Sequence, residues 1–332
     1  MFFRWVILLT LISGSAFAQT IPRTADGIPN LQGIWQAQSR GSYDFQDHVA
    51  RFDMPAGKGI VVGGEIPYQD WALEQKQSNF NNRAIADPLK SCYFPGVPRI
   101  MTMDYPFHIF QTRDHVAITF EWTQVFRLIY TNGQEPLYPG IESWMGNSRA
   151  RWEGDVLVVE VNDMNDKTWF DAAGNFHSDA LKVTERYSML DENTIEYEAT
   201  IDDPEVYTGP WSINLSLHRQ TDIGRILEYQ CQAEAEEANG EFERDVMTWY
   251  PAPIPDDNSA FDANTVSDLS EIEVGADIAR LPDGTPNISG YYSANAGGAN
   301  YGLEIRESLP MMPPTRGVVI DPPDGILPYQ TW

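Results

Sequence analysis

The residues best suited to acid–base chemistry are concentrated in one short segment, residues 165–187. Within it, His177 and Glu185 carry two of the side-chain types that most often exchange protons with a substrate. Segments that mix polar and charged residues in this way often form binding loops on a rigid scaffold. The sequence therefore predicts His177 and Glu185 as the candidate catalytic pair, provided that the surrounding elements bring them together.

The alternation of residue types around Glu185 predicts the direction of its side chain. Four residues at successive alternate positions share one face of a predicted strand: Leu181, Val183, Glu185 and Tyr187. If this face points inward, the carboxylate is buried, and a buried carboxylate needs a cation or hydrogen-bond donors. Three arginines lie on neighbouring predicted strands: Arg127, Arg149 and Arg151.

Two interpretations of a buried Glu185 stay open at this point. In the first, Glu185 and an arginine form an ion pair that only stabilises the structure. In the second, Glu185 is the acid or base of a cavity, and His177 at the cavity rim is its proton partner. The candidate ligand-binding residues are Arg127, Arg149, Arg151, Trp169, Asp171 and Tyr187.

Other common catalytic patterns are absent from the sequence. No GxSxG motif surrounds Ser178, so a hydrolase nucleophile elbow is not predicted. The five histidines form no HxH or HxxxH pair, and no DxDxDG calcium loop is present. We therefore predict neither a metal nor a cofactor, and the sequence leaves open whether the protein is an enzyme.

The N-terminus and the cysteines predict an oxidising compartment. An apolar stretch after Arg4 ends at the small-residue tripeptide Ala16-Phe17-Ala18, which is typical of a secretory signal peptide cleaved near Ala18. Secreted proteins usually pair their cysteines, so we predict a disulfide between Cys92 and Cys231. The alternative is a reactive thiol with a histidine partner. The expected location is periplasmic or extracellular.

The charge of the chain restricts its partners. The 332 residues contain 22 Lys and Arg against 48 Asp and Glu, a formal net charge of −26. General electrostatics of this sign oppose binding to nucleic acid and to anionic lipid surfaces. Since no later segment is apolar over the length of a bilayer, we predict no stable membrane insertion after signal cleavage. A small-molecule ligand remains the expected partner, and the oligomeric state is not defined.

Residues 106–231 show the two-residue period of β-strands, punctuated by turn sequences such as Thr131-Asn132-Gly133. The candidate strands are residues 107–111, 116–122, 125–130, 148–152, 156–161, 181–188, 194–201, 211–219 and 226–232. No interval between them suits a crossover helix. We predict an all-β antiparallel meander closed into a barrel, with a short helix at residues 71–82 before the barrel body.

Two segments near the N-terminus recur near the C-terminus in the same order. Residues 26–35, DGIPNLQGIW, match residues 283–292, DGTPNISGYY, and residues 59–71 resemble residues 317–332. We expect a signal peptide at 1–18, a barrel module at 19–249, an acidic proline-containing linker at 250–281 and the start of a second copy at 282–332. Either the chain is a truncated fragment of a tandem protein, which is the interpretation we favour, or the partial repeat has a capping role.

The NLQGIW segment, with Trp35 two residues after Gly33, resembles the GxW signature of lipocalin and calycin barrels. The resemblance implies that Trp35 closes one end of the barrel against an arginine from a late strand, either Arg186 or Arg219. It also implies a calycin-like topology for the predicted meander.

The chain further resembles a family of secreted bacterial proteins of unassigned function that open with an ADGxPNLxGxW motif. The matching motifs include ADGIPNLQGIW from Ala25, CYFPGVPR from Cys92, RWEGDVLVVE from Arg151 and NDKTWFDAAGNFHSDALKVTERY from Asn165. The resemblance implies a shared fold and a shared site, but no activity. One departure is that Cys231 is followed by Gln232-Ala233-Glu234 and not by a His-Glu-Gly-Asn run.

Three functions fit these observations. The first is a secreted small-molecule-binding barrel that holds an apolar or amphipathic ligand. The second is an enzyme on the same barrel, of the hydratase, isomerase or lyase type, using Glu185 and His177. The third is an envelope interaction module in a tandem-repeat protein.

Overall fold

The computed structural model describes residues 21–135 and 140–238, together with residues 280, 281, 284 and 285. The chain divides into two units, Met1–Glu243 and Arg244–Trp332, and all of the described helices and strands lie in the first. The predicted signal peptide and nearly all of the predicted linker and second copy fall outside the described residues.

Nine strands form one closed sheet in sequence order. They are β1 (Gly33–Ala37), β2 (Phe107–Gln111), β3 (His115–Phe120), β4 (Phe126–Tyr130), β5 (Asn147–Glu153), β6 (Val156–Asn162), β7 (Lys182–Asp191), β8 (Thr194–Asp202) and β9 (Trp211–Arg219). β1 pairs with both β2 and β9, which closes the barrel. The predicted all-β barrel is confirmed.

One neighbouring pair of strands, β4 and β5, is parallel. Nine strands cannot alternate in direction all the way around a closed sheet, so one pair must run the same way. The other eight pairs are antiparallel, including β1 with β9. The long connection at residues 131–146 allows the chain to return to the other end before β5 begins, as a parallel pairing requires.

The helices lie between β1 and β2 and after β9 in the chain. They are α1 (Asp70–Ala86), a 3-10 helix (Pro88–Ser91), α2 (Arg99–Thr102) and α3 (Cys231–Ala238). The helix predicted at residues 71–82 is therefore confirmed and extends further. The strand predicted at residues 226–232 is wrong, because Cys231 begins α3, whose sequence CQAEAEEA is rich in strong helix formers. Among the described residues, no helix combines the length and the apolar character that crossing a bilayer requires.

The two-residue period places alternate side chains in the barrel interior. On β8, Ile195, Tyr197, Ala199 and Ile201 are all fully buried, while their neighbours are partly exposed. Strands β7 and β9 show the same alternation, and their inward residues join one hydrophobic core. Large side chains such as Trp35, Phe107 and Tyr187 fill the interior at the centre of this core.

Trp35 and Arg219 close the end of the barrel at which β1 begins. The Arg219 guanidinium lies 4.1 Å from the centre of the Trp35 ring, and the indole N–H donates to the Leu31 carbonyl at 2.9 Å. Arg219 also donates to the Gln32 carbonyl at 2.6 Å. Of the two arginines predicted for this contact, Arg219 makes it, whereas Arg186 lies at the surface beside Glu153. Gly33 makes the approach of Arg219 possible, since it has no Cβ.

Replacing Gly33 with alanine is expected to lower the free energy of unfolding by about 1 to 3 kcal/mol. A Cβ at this position would lie 2.1 Å from Arg219 Nη1, and the residue has a φ of +134° that disfavours alanine. Urea unfolding of Gly33→Ala measures the effect. Gly27→Ala is the matched control, since Gly27 also has a positive φ but open space around its Cβ position. Equal losses in the two variants would contradict the steric explanation.

The disulfide between Cys92 and Cys231 is confirmed, with a Cα–Cα distance of 5.6 Å across a sequence separation of 139. Cys92 follows the 3-10 helix and Cys231 begins α3. The bond thus attaches α3, which follows β9, to the segment that leads into α2 and β2.

A turn near the N-terminus has a counterpart in the second unit. Arg23 donates to the Gly27 carbonyl at 2.7 Å, and Arg280 donates to the Gly284 carbonyl at 2.8 Å. The two glycines have φ values of +81° and +85°. The predicted repeat aligns Gly27 with Gly284, and each arginine lies four residues before its glycine. The second copy itself lies largely outside the described residues and stays a prediction.

Candidate functional site

Glu185 lies inside the barrel and is paired with Arg127. The guanidinium donates from Nη1 to Oε1 at 2.9 Å and from Nη2 to Oε2, and both side chains are buried. The inward direction of Glu185 follows the predicted phase of β7, in which Val183, Glu185, Tyr187 and Met189 are the buried residues. Arg127 reaches it from β4 across the interior.

Two tyrosines and a serine complete this buried cluster. Tyr187 and Tyr197 donate their hydroxyl protons to Glu185 Oε1 at 2.9 and 2.8 Å, and Arg127 Nε donates to Ser148 Oγ at 3.0 Å. Burial, followed by the charge of Glu185, raises the pKa of both tyrosines well above the ordinary value. Burial alone would lower the pKa of Arg127, but Glu185 raises it. The carboxylate therefore accepts four hydrogen bonds, two from Arg127 and one from each tyrosine.

The other two arginines considered as partners of Glu185 point away from it. Arg151 is exposed on the outer face of β5 and pairs with Glu153 and Glu160 at 2.8 and 2.6 Å. The Arg149 guanidinium carbon lies over the Tyr130 ring, 4.1 Å from the ring centre. The expectation that either arginine pairs with Glu185 is wrong, because the inward residue of this part of β5 is Ser148.

His177 is buried, with 2% of its surface exposed, and not at a cavity rim as predicted. Its Nδ1 lies 2.8 Å from the Ser178 carbonyl, which can only accept, so Nδ1 carries the proton. Nε2 then accepts from the Thr168 hydroxyl at 2.6 Å. Burial lowers the pKa of His177. Neither hydrogen bond reaches Glu185 or any of its partners.

Asp171 belongs to a second buried cluster, in the long loop between β6 and β7. Its carboxylate accepts from the backbone N–H of Phe45 at 2.8 Å and of Ala173 at 3.0 Å. The Asn175 amide donates to Asp171 and, at 3.3 Å, to Asp44. Burial, and then the negative charge of Asp44, raises the pKa of Asp171 to about 7. Every one of these bonds anchors the loops that cover the barrel at the end where β6 ends and β7 begins.

The segment at residues 165–187 thus divides into two clusters in the structure. Glu185, Tyr187 and Arg127 lie inside the barrel, whereas Asp171 and His177 hold the covering loops. Trp169 is half-buried in these loops and pairs with Phe176 through an isolated β-bridge. Whether any of these residues contacts a ligand stays a prediction.

A pocket of about 630 Å³ lies beside the end of the barrel at which β2 begins, opposite the Trp35–Arg219 closure. We call it the end pocket. Sixteen residues line it: Ser42, Tyr43, Asp87, Leu89, Lys90, Cys92, Arg99, Met103, Asp104, Tyr105, Trp122, Ala172, Tyr229, Cys231, Glu234 and Ala235. Both cysteines of the disulfide are among them, so the crosslink forms part of the pocket wall.

Three aromatic side chains form one side of the end pocket. The ring centres of Tyr105, Trp122 and Tyr229 are 5.2 to 5.3 Å from one another. The Trp122 Nε1 has no hydrogen-bond partner in the described part of the chain, but solvent does not reach this atom. The triad therefore offers ring surface to the pocket, and the indole N–H is not available to a ligand in this arrangement.

A buried ion pair forms another part of the end-pocket wall. Arg99 donates from both terminal nitrogens to the two carboxylate oxygens of Asp87, at 2.8 and 2.7 Å. Each side chain is less than 5% exposed. The bidentate geometry is strong and specific, and it places rigid polar atoms in the wall beside the aromatic and apolar residues.

A second pocket, of about 670 Å³, lies on the outer face of β9, and most of its lining residues are polar or charged. Among its lining residues are Lys58, Asn214, Ser216 and His218. Asp104 borders both pockets. Its Oδ2 lies 3.8 Å from Arg40 Nη1. Partial burial raises the pKa of Asp104, and Arg40 acts in the opposite direction. A smaller pocket of about 380 Å³ lies at residues 47–58.

Sequence reasoning missed the end pocket because its residues come from six separate segments. The one signal for it was the cysteine pair, since a predicted contact between Cys92 and Cys231 also brings the neighbouring residues together. Tyr229 lies two residues before Cys231, and Arg99 lies seven residues after Cys92.

The closed sheet and the contact between Trp35 and Arg219 define a calycin-like β-barrel. No protein-family model matches the chain, and no curated protein matches it. Among solved structures, the chain is similar to a mutant of the fluorescent protein UnaG, with 11% sequence identity and a TM-score of 0.27. The match covers 58% of this chain and 97% of that protein. The barrel assignment rests on the strand pairing, and the resemblance to the secreted family stays a prediction.

Proposed function

We propose that the chain is a secreted small-molecule-binding β-barrel module that holds an apolar or amphipathic ligand in the end pocket. The observation that supports this proposal is the end pocket itself. Its volume of about 630 Å³ lies within the range of ligand sites. It also joins an aromatic wall to a few fixed polar groups, as such sites do. The disulfide in its wall fits an oxidising compartment.

The same geometry favours binding over acid–base catalysis by the predicted pair. Both oxygens of Glu185 are already bonded to Arg127, Tyr187 and Tyr197, and both nitrogens of His177 have partners. Neither residue lines the three pockets described above. A general acid or base must reach its substrate. The interaction-module hypothesis depends on residues outside the described part of the chain and stays a prediction.

The experiment is a titration with N-phenyl-1-naphthylamine, an uncharged dye whose fluorescence rises in apolar sites. We compare Ser42→Trp with Ser216→Trp, because these serines line two pockets of similar volume. Both are partly exposed. We expect the first variant to lose about tenfold or more in dye affinity, since an indole fills much of the end pocket. The second variant is expected to bind as the unmodified protein does.

Near-ultraviolet circular dichroism of each variant verifies native packing, because loosely packed states also bind this dye. Unchanged affinity in a natively packed Ser42→Trp variant would overturn the proposed function. A loss in Ser216→Trp alone would move the site to the outer face of β9.

A further inference from the structure

We propose that the end pocket takes a hydrophobic cation, such as an aromatic or alkyl ammonium compound. This inference rests on the proposed function and adds the chemical class of the ligand. It is carried by the aromatic triad, by the charges that line the pocket and by the charge of the whole chain.

The triad supplies the surface that an organic cation prefers. The faces of tryptophan and tyrosine attract ammonium groups through the negative charge of their π-electrons, and several rings together bind better than one. Tyr105, Trp122 and Tyr229 form a continuous aromatic wall, and Trp122 is 94% buried at its base. A buried wall of this kind also binds the apolar part of the ligand.

The charges at the pocket also favour a cation. Asp87 already neutralises Arg99 through both terminal nitrogens, so this guanidinium has little attraction left for an anion. The remaining charged lining residues are Glu234 and Asp104, the second with Arg40 at 3.8 Å, against Lys90. Glu121 adds a negative charge close by, since its Oε2 accepts from the Leu227 backbone N–H at 2.8 Å, next to the triad. Both Glu121 and Glu234 act electrostatically on Tyr105.

The field of the whole chain acts in the same direction. A formal net charge of −26 raises the local concentration of cations and lowers that of anions around the protein. The effect weakens with salt, because the Debye length is about 8 Å at physiological ionic strength. A cationic ligand should therefore bind less tightly as salt is added, and an anionic ligand more tightly.

The test compares two probes of similar size and opposite charge, benzyltrimethylammonium and benzoate, by isothermal titration calorimetry on the full chain. We expect benzyltrimethylammonium to bind about tenfold more tightly than benzoate. Glu234→Gln should weaken its binding about two- to fivefold, because one partly screened charge is lost. Lys90→Gln should strengthen it by a similar factor. Glu236→Gln is the matched control, since Glu236 lies on the same helix but does not line the pocket.

The outcomes separate the two proposals. Tighter binding of benzoate, or equal effects of Glu234→Gln and Glu236→Gln, would overturn the cation inference and leave the binding function standing. If Ser42→Trp leaves the binding of both probes and of the dye unchanged, the end pocket is not the ligand site and both proposals fail. Loss of benzyltrimethylammonium binding in Ser42→Trp, with the expected order of the charge variants, supports both.

Discussion

Replacing Glu185 with alanine is expected to lower the free energy of unfolding by about 3 to 5 kcal/mol. The substitution leaves the Arg127 guanidinium buried in the barrel interior without its counter-charge. It also removes the acceptor of the Tyr187 and Tyr197 hydroxyls, whose two hydrogen bonds end on the same carboxylate. Urea unfolding followed by tryptophan fluorescence measures the loss. A loss of this size removes most of the free energy of unfolding of a domain of ordinary stability.

The matched control for this prediction is Glu160→Ala. Glu160 also pairs with an arginine on a neighbouring strand, Arg151, at 2.6 Å, but both side chains are more than half exposed. An exposed pair contributes about 0 to 1 kcal/mol, so this variant should unfold almost as the unmodified protein does.

A double variant tests the explanation further. Glu185→Leu combined with Arg127→Met removes both charges and keeps much of the volume, so it should be more stable than Glu185→Ala. If Glu185→Ala lowers the free energy of unfolding by less than about 1 kcal/mol, Arg127 has another partner in that variant, and the fixed ion pair described above is wrong.

The second large loss in the free energy of unfolding is expected when the double substitution Cys92→Ala and Cys231→Ala removes the disulfide. A crosslink that closes 139 residues of chain restricts the unfolded state by about 4 to 5 kcal/mol in the chain-entropy model. Urea unfolding of the double variant measures this loss. The bond also attaches α3, and with it Glu234 and Ala235, to the end-pocket wall.

The double cysteine variant should therefore lose dye binding under conditions in which it is still folded. Circular dichroism at the same urea concentration verifies that the barrel persists. Treating the unmodified protein with a thiol reductant should reproduce the change, and re-oxidation should reverse it. A folded variant with unchanged dye affinity would show that the disulfide stabilises the chain without shaping the pocket.

The interior direction of the strands was readable from the sequence, because burial follows a strict two-residue period in a closed sheet. The phase of Leu181 and Val183 placed Glu185 inside, where the structure has it. The two-residue period did not identify which arginine pairs with Glu185. Arg127 lies on one predicted strand and Arg149 and Arg151 on the next, and only the register across the parallel pair of β4 and β5 decides which one enters the barrel.

His177 shows why a local pattern predicts burial less well in a loop than in a strand. Residues 163–181 have no repeating period, so nothing in the sequence shows that Thr168 and the Ser178 carbonyl surround the imidazole. Proximity to Glu185 in sequence, eight positions away, did not become contact in space, because the two residues belong to different clusters.

The sequence by itself determined the closed all-β architecture, the disulfide, the contact of Trp35 with a late arginine and the inward direction of Glu185. The architecture, the disulfide and the direction of Glu185 depend on a local period or on the chemistry of a single residue type, whereas the Trp35 contact is implied by the resemblance to the GxW signature. Only the tertiary structure decided which arginine neutralises Glu185 and where the end pocket lies. Those features join side chains from segments far apart in sequence, including Ser42, Arg99, Trp122 and Tyr229, and their meeting depends on strand register and loop packing, which no local pattern encodes.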